Sequence, residues 1–246
     1  MDKMIWLAMS GAKQTFAAQA AANHNLANVN TTGFRADFNS MRSMPVFGDG
    51  HPSRVFALDE RPGIDFSPGA IVQTGNDLDI AIDGEGFVAV QAPDGTEAYT
   101  RAGDLRLGAN GQLTTGAGHP VLGNGAPIAV PPAETLTIGK DGTISIRPMG
   151  QSADVRAQVD RIKLVRPDTA ALVKGPDGLF RRRDGAPEAA DASVRVAQGA
   201  LESSNVNPVE ALTTMIDLQR RYELEIKAMR TAQENDAASA QILRMT

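Results

Sequence analysis

The chain has 246 residues, a formal net charge of −5 and 42% hydrophobic content, enough to bury a core in one large or two small domains. The acidic balance excludes a general polyanion-binding surface, and the absence of cysteine excludes disulfides, thiolate metal sites and cysteine nucleophiles. Aromatics are only 4%, against 24 glycines and 14 prolines, so the core must be Val, Ile, Leu and Ala between many turns.

The N-terminal segment, from Asp2 to about Asn28, has a helical period. Ile5, Met9, Ala12, Phe16 and Ala20 form one apolar stripe, and Ala18, Ala22, Leu26 and Val29 form a second beside it. Eight alanines lie between Ala8 and Ala27. A helix apolar on more than one face, with small side chains, expects close helical neighbours. The start is read as uncleaved, because the apolar run from Met4 to Met9 is short and Ser10, Gly11, Lys13 and Gln14 follow it. No segment approaches the roughly 20 apolar residues of a membrane helix.

The helix ends in NHNLANVNTTGFR, residues 23–35, which places Asn23, Asn25, Asn28 and Asn30 where asparagine is poorly suited to a helix interior. These amides either make directional hydrogen bonds that set packing register, as a buried asparagine does in coiled coils, or cap a solvated helix end. Gly33 reads as a turn residue. Residues 34–68 have weak periodicity and read as an extended connector.

An antiparallel β domain is expected over residues 69–199. Strands read at 78–82, 87–90, 98–101, 144–147 and 159–165. Asp83-Gly84, Pro93-Asp94-Gly95, Asn110-Gly111, Asn124-Gly125 and Asp141-Gly142 supply turns. Asp77, Asp79, Asp83 and Glu85 are close in sequence but do not match a calcium loop, and read as turn and strand-end residues. Gly84-x-Gly86 runs into another strand rather than a helix, so it fails as a phosphate loop. Arg181, Arg182 and Arg183, followed by Asp184, read as a solvated loop. His24, His51 and His119 are far apart, and no nucleophile has a base at a recognisable spacing. The chain reads as a non-enzyme with no cofactor, metal, small-molecule substrate or nucleic acid. A glycan- or protein-binding β module is the rival class, but Trp6 and two tyrosines make a poor aromatic platform.

Asn-Val-Asn recurs at residues 205–207. There Asn207 reads as the N-cap of a last helix, with Pro208 at its first position and Glu210 at its third. Its stripe is Val209, Leu212, Ile216, Tyr222, Ile226, Met229, Ala237, Ala240 and Leu243, near a heptad spacing. The fold class is therefore α+β: two end helices, packing together in coiled-coil fashion, and a central antiparallel β-rich domain. Neither long helix is stable alone in water, so they pack on each other and on other chains, or fold as a hairpin capping the β domain.

Three separated blocks carry a family resemblance. NLANVNTTGFR, TGNDLDIAIDGEGFVAVQAPDGTEAYTRAGDL and SNVNPVEALTTMIDLQRRYE resemble, in that order, the shared segments of rod and hook proteins of the bacterial flagellum. Within that family MDKMIWLAMSGAKQ, GHPVLGNGAPIAVPP, RIKLVRPD and GALESSNVNP are most similar to the proximal rod group. The distal rod is next, and the hook is less similar. The resemblance implies a structural axial subunit, exported through the flagellar type III apparatus without a cleaved signal peptide. It would polymerise with its own copies and with proximal and distal rod subunits in a periplasm-spanning drive shaft. The residues expected in subunit packing are Ile5, Met9, Phe16, Asn23, Leu26, Asn28, Leu212, Ile216, Tyr222, Ile226 and Met229.

Overall fold

The computed structural model describes residues 4–45, 55–150 and 156–244. Asp2, Lys3 and His51 lie outside them. The chain divides into two units: Met1–Val29, Ala36–Asp65 and Val206–Thr246 in one, and Asn30–Arg35 with Phe66–Asn205 in the other.

The first unit holds helix α1 (Met4–Ala27), the strands β1 (Asp37–Pro45) and β2 (Val55–Ile64), and the C-terminal helix α2 (Pro208–Arg244). With 37 residues α2 is about 55 Å long. Its start obeys its sequence: the Asn207 side chain accepts from the Val209 amide at 3.0 Å, satisfying one donor that the first turn leaves orphaned. The segment read as a connector contains β1 and β2, an antiparallel ribbon running from Asp37↔Ile64 to Pro45↔Val55. Its strands are long but lack alternation, since MRSMP and ERPGI place polar and apolar residues irregularly, so periodicity gave no signal.

The two helices pack on each other, and the contact runs through small residues. Ala18 and Ala22 cluster with Leu218, and Phe16 meets Tyr222 with ring centroids 6.4 Å apart. Buried and half-buried positions recur at Ala8, Ala12, Thr15, Gln19, Ala22 and Leu26 on α1. On α2 they recur at Ala211, Met215, Leu218, Tyr222, Glu225, Met229 and Ala232.

The second unit is antiparallel throughout its named strands. They are β3 (Ile71–Gln73), β4 (Ile80–Asp83), β5 (Phe87–Gln91), β6 (Glu97–Thr100), β7 (Leu105–Leu107), β8 (Leu113–Thr115), β9 (Ala133–Ile138) and β10 (Thr143–Pro148). There follow β11 (Ala157–Arg161), β12 (Leu164–Val165), β13 (Leu172–Lys174), β14 (Phe180–Arg182), β15 (Arg195–Gln198) and β16 (Ala200–Glu202). The largest sheet runs β12-β5-β6-β14-β13, and β11-β10-β9 make a three-stranded sheet. Smaller pairings join β15 to β4, β16 to β3 and β7 to β8. Ile80, Val88, Val90, Leu113, Val121, Ile128, Ile144 and Ile162 are all nearly or fully excluded from solvent in the core.

Two expectations change here. Residues 159–165 form two strands rather than one: β11 pairs with β10, β12 pairs with β5, and the Ile162 and Lys163 amides donate to Gly142 and Leu122 between them. A single run of β-forming residues thus serves two sheets. Arg181 and Arg182 lie in β14 rather than a loop, and their charges are answered locally. Arg181 pairs with Asp177 at 2.6 Å, and Arg182 with Glu188 at 2.7 Å and Asp184.

Candidate functional site: a helix pair and a buried arginine cluster

In the first unit, the expected packing residues divide into two groups. Leu26, Tyr222, Ile226 and Met229 are half-buried, as is Ile5. Met9, Phe16, Leu212 and Ile216 are exposed, from 45% at Leu212 to 63% at Phe16. Trp6, Val209 and Leu224 are exposed as well. The alanine side of α1 takes the contact with α2 because a small side chain lets backbones approach, which leaves Met9, Leu212 and Ile216 outside it while Phe16 keeps a tilted ring contact with Tyr222. Among the described residues, no helix is long and apolar enough to cross a membrane.

The asparagine-rich end of α1 has defined work. Asn25 exchanges two hydrogen bonds with the Asp37 backbone: its Nδ2 donates to the Asp37 carbonyl at 2.9 Å, and the Asp37 amide donates to its Oδ1 at 2.8 Å. The Asp37 carboxylate also meets His24 Nδ1 at 2.6 Å. Asn28 Nδ2 donates to the His24 carbonyl at 2.8 Å, a second bond to an acceptor that the Asn28 backbone amide already reaches at 3.2 Å. Asn23 and Asn30 are exposed.

In the second unit, Arg35, Arg101 and Glu202 form a cluster that sequence reasoning missed. All three are buried, Glu202 at 1% exposure. Glu202 Oε1 accepts from Arg35 Nη2 at 2.6 Å and from the Gly69 amide at 2.9 Å, and its Oε2 accepts from Arg101 Nε at 2.6 Å. Arg101 also donates to the carbonyls of Ile82, Gly84 and Gly86, tying down the β4–β5 turn. Burial pushes the Arg101 guanidinium below its usual range, an effect opposed by Glu202 and reinforced by Arg35. The TTGFR segment is zipped in beside the cluster: the Gly33 amide donates to the Glu202 carbonyl at 2.8 Å, and Lys174 Nζ sits 3.9 Å from the centroid of the Phe34 ring. Gly33 has φ +66°, and a Cβ there would lie 2.3 Å from the Arg101 carbonyl carbon, so both dihedral and contact demand glycine. A usable signal did exist. Each of the three charges lies in one of the blocks quoted above for the family or its proximal rod group: TTGFR, TRAGDL and GALESS.

The four clustered carboxylates go separate ways. Asp79 accepts from Thr74 Oγ1 at 2.6 Å and Asn76 Nδ2 at 3.0 Å, while Glu85 pairs with Arg166. The Asp77 carbonyl accepts from Gln198, and Asp83 ends β4 exposed. Among the described residues no group of three or more His, Asp or Glu is placed to hold a metal ion.

Comparison with known proteins gives this architecture its family. Residues 81–146 match the flagellar hook protein FlgE/F/G D1 domain, and residues 197–242 match the flagellar basal body rod FlgEFG protein C-terminal family. The chain is 43% identical to the flagellar basal-body rod protein FlgF of Salmonella typhimurium over the full length of both. It belongs to the flagellar basal-body rod protein family. FlgF of Escherichia coli is 41% identical, again over the whole of both chains. The rod protein FlgG of Borreliella burgdorferi is 31% identical over 94% of this chain and 95% of its own. The rod family is structural and non-enzymatic, which agrees with a charge cluster whose arginine donors bind backbone carbonyls and the Glu202 carboxylate.

Proposed function

We infer that the chain is a structural subunit of the flagellar basal-body rod, of the FlgF or proximal-rod kind, that polymerises to carry torque. The observation that carries this is identity to FlgF along the whole chain, including both end helices. The exposed apolar side chains of α1 and α2 agree with it, since large apolar surface facing water marks a surface meant for another chain.

The finer reading assigns roles within the helix pair. Met9, Phe16, Leu212 and Ile216 contact neighbouring subunits. Ile5, Leu26, Tyr222, Ile226 and Met229 set the spacing of the pair, and Asn23 and Asn28 contribute polar contacts at its end. The alternation of spacings of four and three among the less exposed positions supports coiled-coil-like packing. The neighbours are copies of this chain and the other proximal and distal rod subunits. The chain is made in the cytoplasm, passes through the flagellar type III export apparatus without a cleaved signal peptide, and ends in the rod across the periplasm. A chain without cysteine suits that route, because it cannot cross-link while unfolded.

Complementation of a strain lacking its own rod subunit tests the reading. The full chain restores swimming and complete basal bodies, and a chain lacking residues 1–30 restores neither. Normal basal bodies built from the truncated chain, or no restoration by the full chain, overturn it.

A further inference from the structure

The second unit contains a cavity of about 970 Å³ beside the arginine cluster. Ligand pockets run from roughly 300 to 1,000 Å³, so this one has room for a short peptide segment and is larger than a lone ion needs. Phe66, Pro68, Ile71, Phe87 and Pro167 contribute apolar wall. The rings of Phe66 and Phe87 stand edge to face at 6.3 Å, and both contact Phe180.

The lining also includes Arg35, Arg101 and Glu202. Among the described residues two buried cations meet one buried carboxylate, which leaves one positive charge unanswered in a site removed from water. Arg101 employs Nε, Nη1 and Nη2. Arg35 employs only Nη2, and its Nε and Nη1 are buried with no hydrogen-bond partner among the described residues. An uncompensated buried cation and idle buried donors are both destabilising until an acceptor arrives. The other charged lining residues do not supply one: Glu85 pairs with Arg166, and the Asp168 carboxylate accepts from the Ala170 amide at 3.0 Å.

We propose that this cavity receives a segment of an adjacent rod subunit, which sets a carboxylate side chain beside Arg35 and an apolar side chain against Phe66 and Phe87. The proposal rests on the rod-subunit reading, which supplies the neighbour, and adds to the helix contacts a second contact made by the β-rich unit. Charge complementarity selects an acidic segment, and the volume and apolar wall select a peptide over a free anion.

Two measurements test it in the complementation strain. Ile71→Trp fills the mouth from an exposed strand position. The purified variant keeps the wild-type melting temperature and is exported, but swimming cells fall by about tenfold or more. Separately, p-benzoylphenylalanine replaces exposed Thr169 at the rim, and basal bodies are irradiated and digested. The expected cross-link is to a rod-subunit peptide carrying Asp or Glu. Wild-type swimming by Ile71→Trp overturns the cavity proposal, as does a cross-link confined to the same chain, a captured peptide without an acid, or no captured rod peptide. If Ile71→Trp proves unstable, the cross-link decides alone. Restoration by the wild-type chain in the same strain keeps the rod reading separate, so its failure and that of the cavity are distinguishable.

Discussion

Glu202 is the residue on which most depends within the β-rich unit. It is the single carboxylate between two buried guanidinium groups, so Glu202→Gln leaves both without a counter-charge while keeping shape and some acceptor capacity. Breaking a buried pair from one side costs about 3–5 kcal/mol. We predict a loss of that order in the unfolding free energy obtained from urea titration, with a smaller loss for Lys163→Met, whose partner Glu97 is less deeply buried. Two aspartates give opposite pH signatures. The Arg181 hydrogen bond holds Asp177 below its ordinary value of 3.8. Its contribution is present above the unfolded pKa and is lost as pH falls through the lowered folded value. Asp177→Asn therefore destabilises at neutral pH, and its cost shrinks in acid. Burial raises Asp104 above 3.8, so its contribution is present below the unfolded pKa and is lost as pH rises through the raised folded value. Asp104→Asn gains on the wild type between acid and neutral pH. Urea midpoints measured across that range check both signs.

At the scale of elements, the join between α1 and β1 rests on Asn25. Its side chain reproduces a strand-like exchange with the Asp37 backbone, which lets a helix terminus and a strand start share hydrogen bonds where neither can extend its own ladder. Asn25→Ala removes both, at about 0.5–1.5 kcal/mol each, and faster hydrogen exchange at the Asp37 amide reads the loss locally. The asparagine question can be read at the same scale. Asn25 and Asn28 hydrogen-bond within their own chain, which agrees with the reading of this segment as a helix end. Asn207 is its counterpart at the start of α2. The α2 cap was legible because Asn-Pro-x-Glu is local chemistry read over four residues. The Asn25–Asp37 exchange was not, because an Asx side chain has many possible backbone partners and the strand beginning at Asp37 has no readable alternation.

For the whole molecule, the exposed apolar side chains of the end helices are the proposed assembly surface. We predict that Phe16→Glu combined with Ile216→Glu leaves the helical circular dichroism of the monomer nearly unchanged. Both sites are exposed in the single chain, where substitutions stay within about 0.5 kcal/mol. The same variant is exported but absent from purified basal bodies, because each glutamate would have to be buried without a partner there. Its recovery in intact basal bodies would remove these residues from the assembly surface. The sequence by itself determined the two end helices, the turn-rich antiparallel middle, the Asn207 cap and the rod-family resemblance, because each is written in local periodicity or in contiguous blocks. Only the tertiary structure decided which face of α1 meets α2, that residues 37–45 and 55–64 pair as a ribbon, that residues 159–165 divide between two sheets, and that Arg35, Arg101 and Glu202 meet. Those outcomes depend on partners far apart along the chain, 167 residues in the case of Arg35 and Glu202. Side-chain size and close packing choose among them, and hydrophobic pattern alone does not encode that choice.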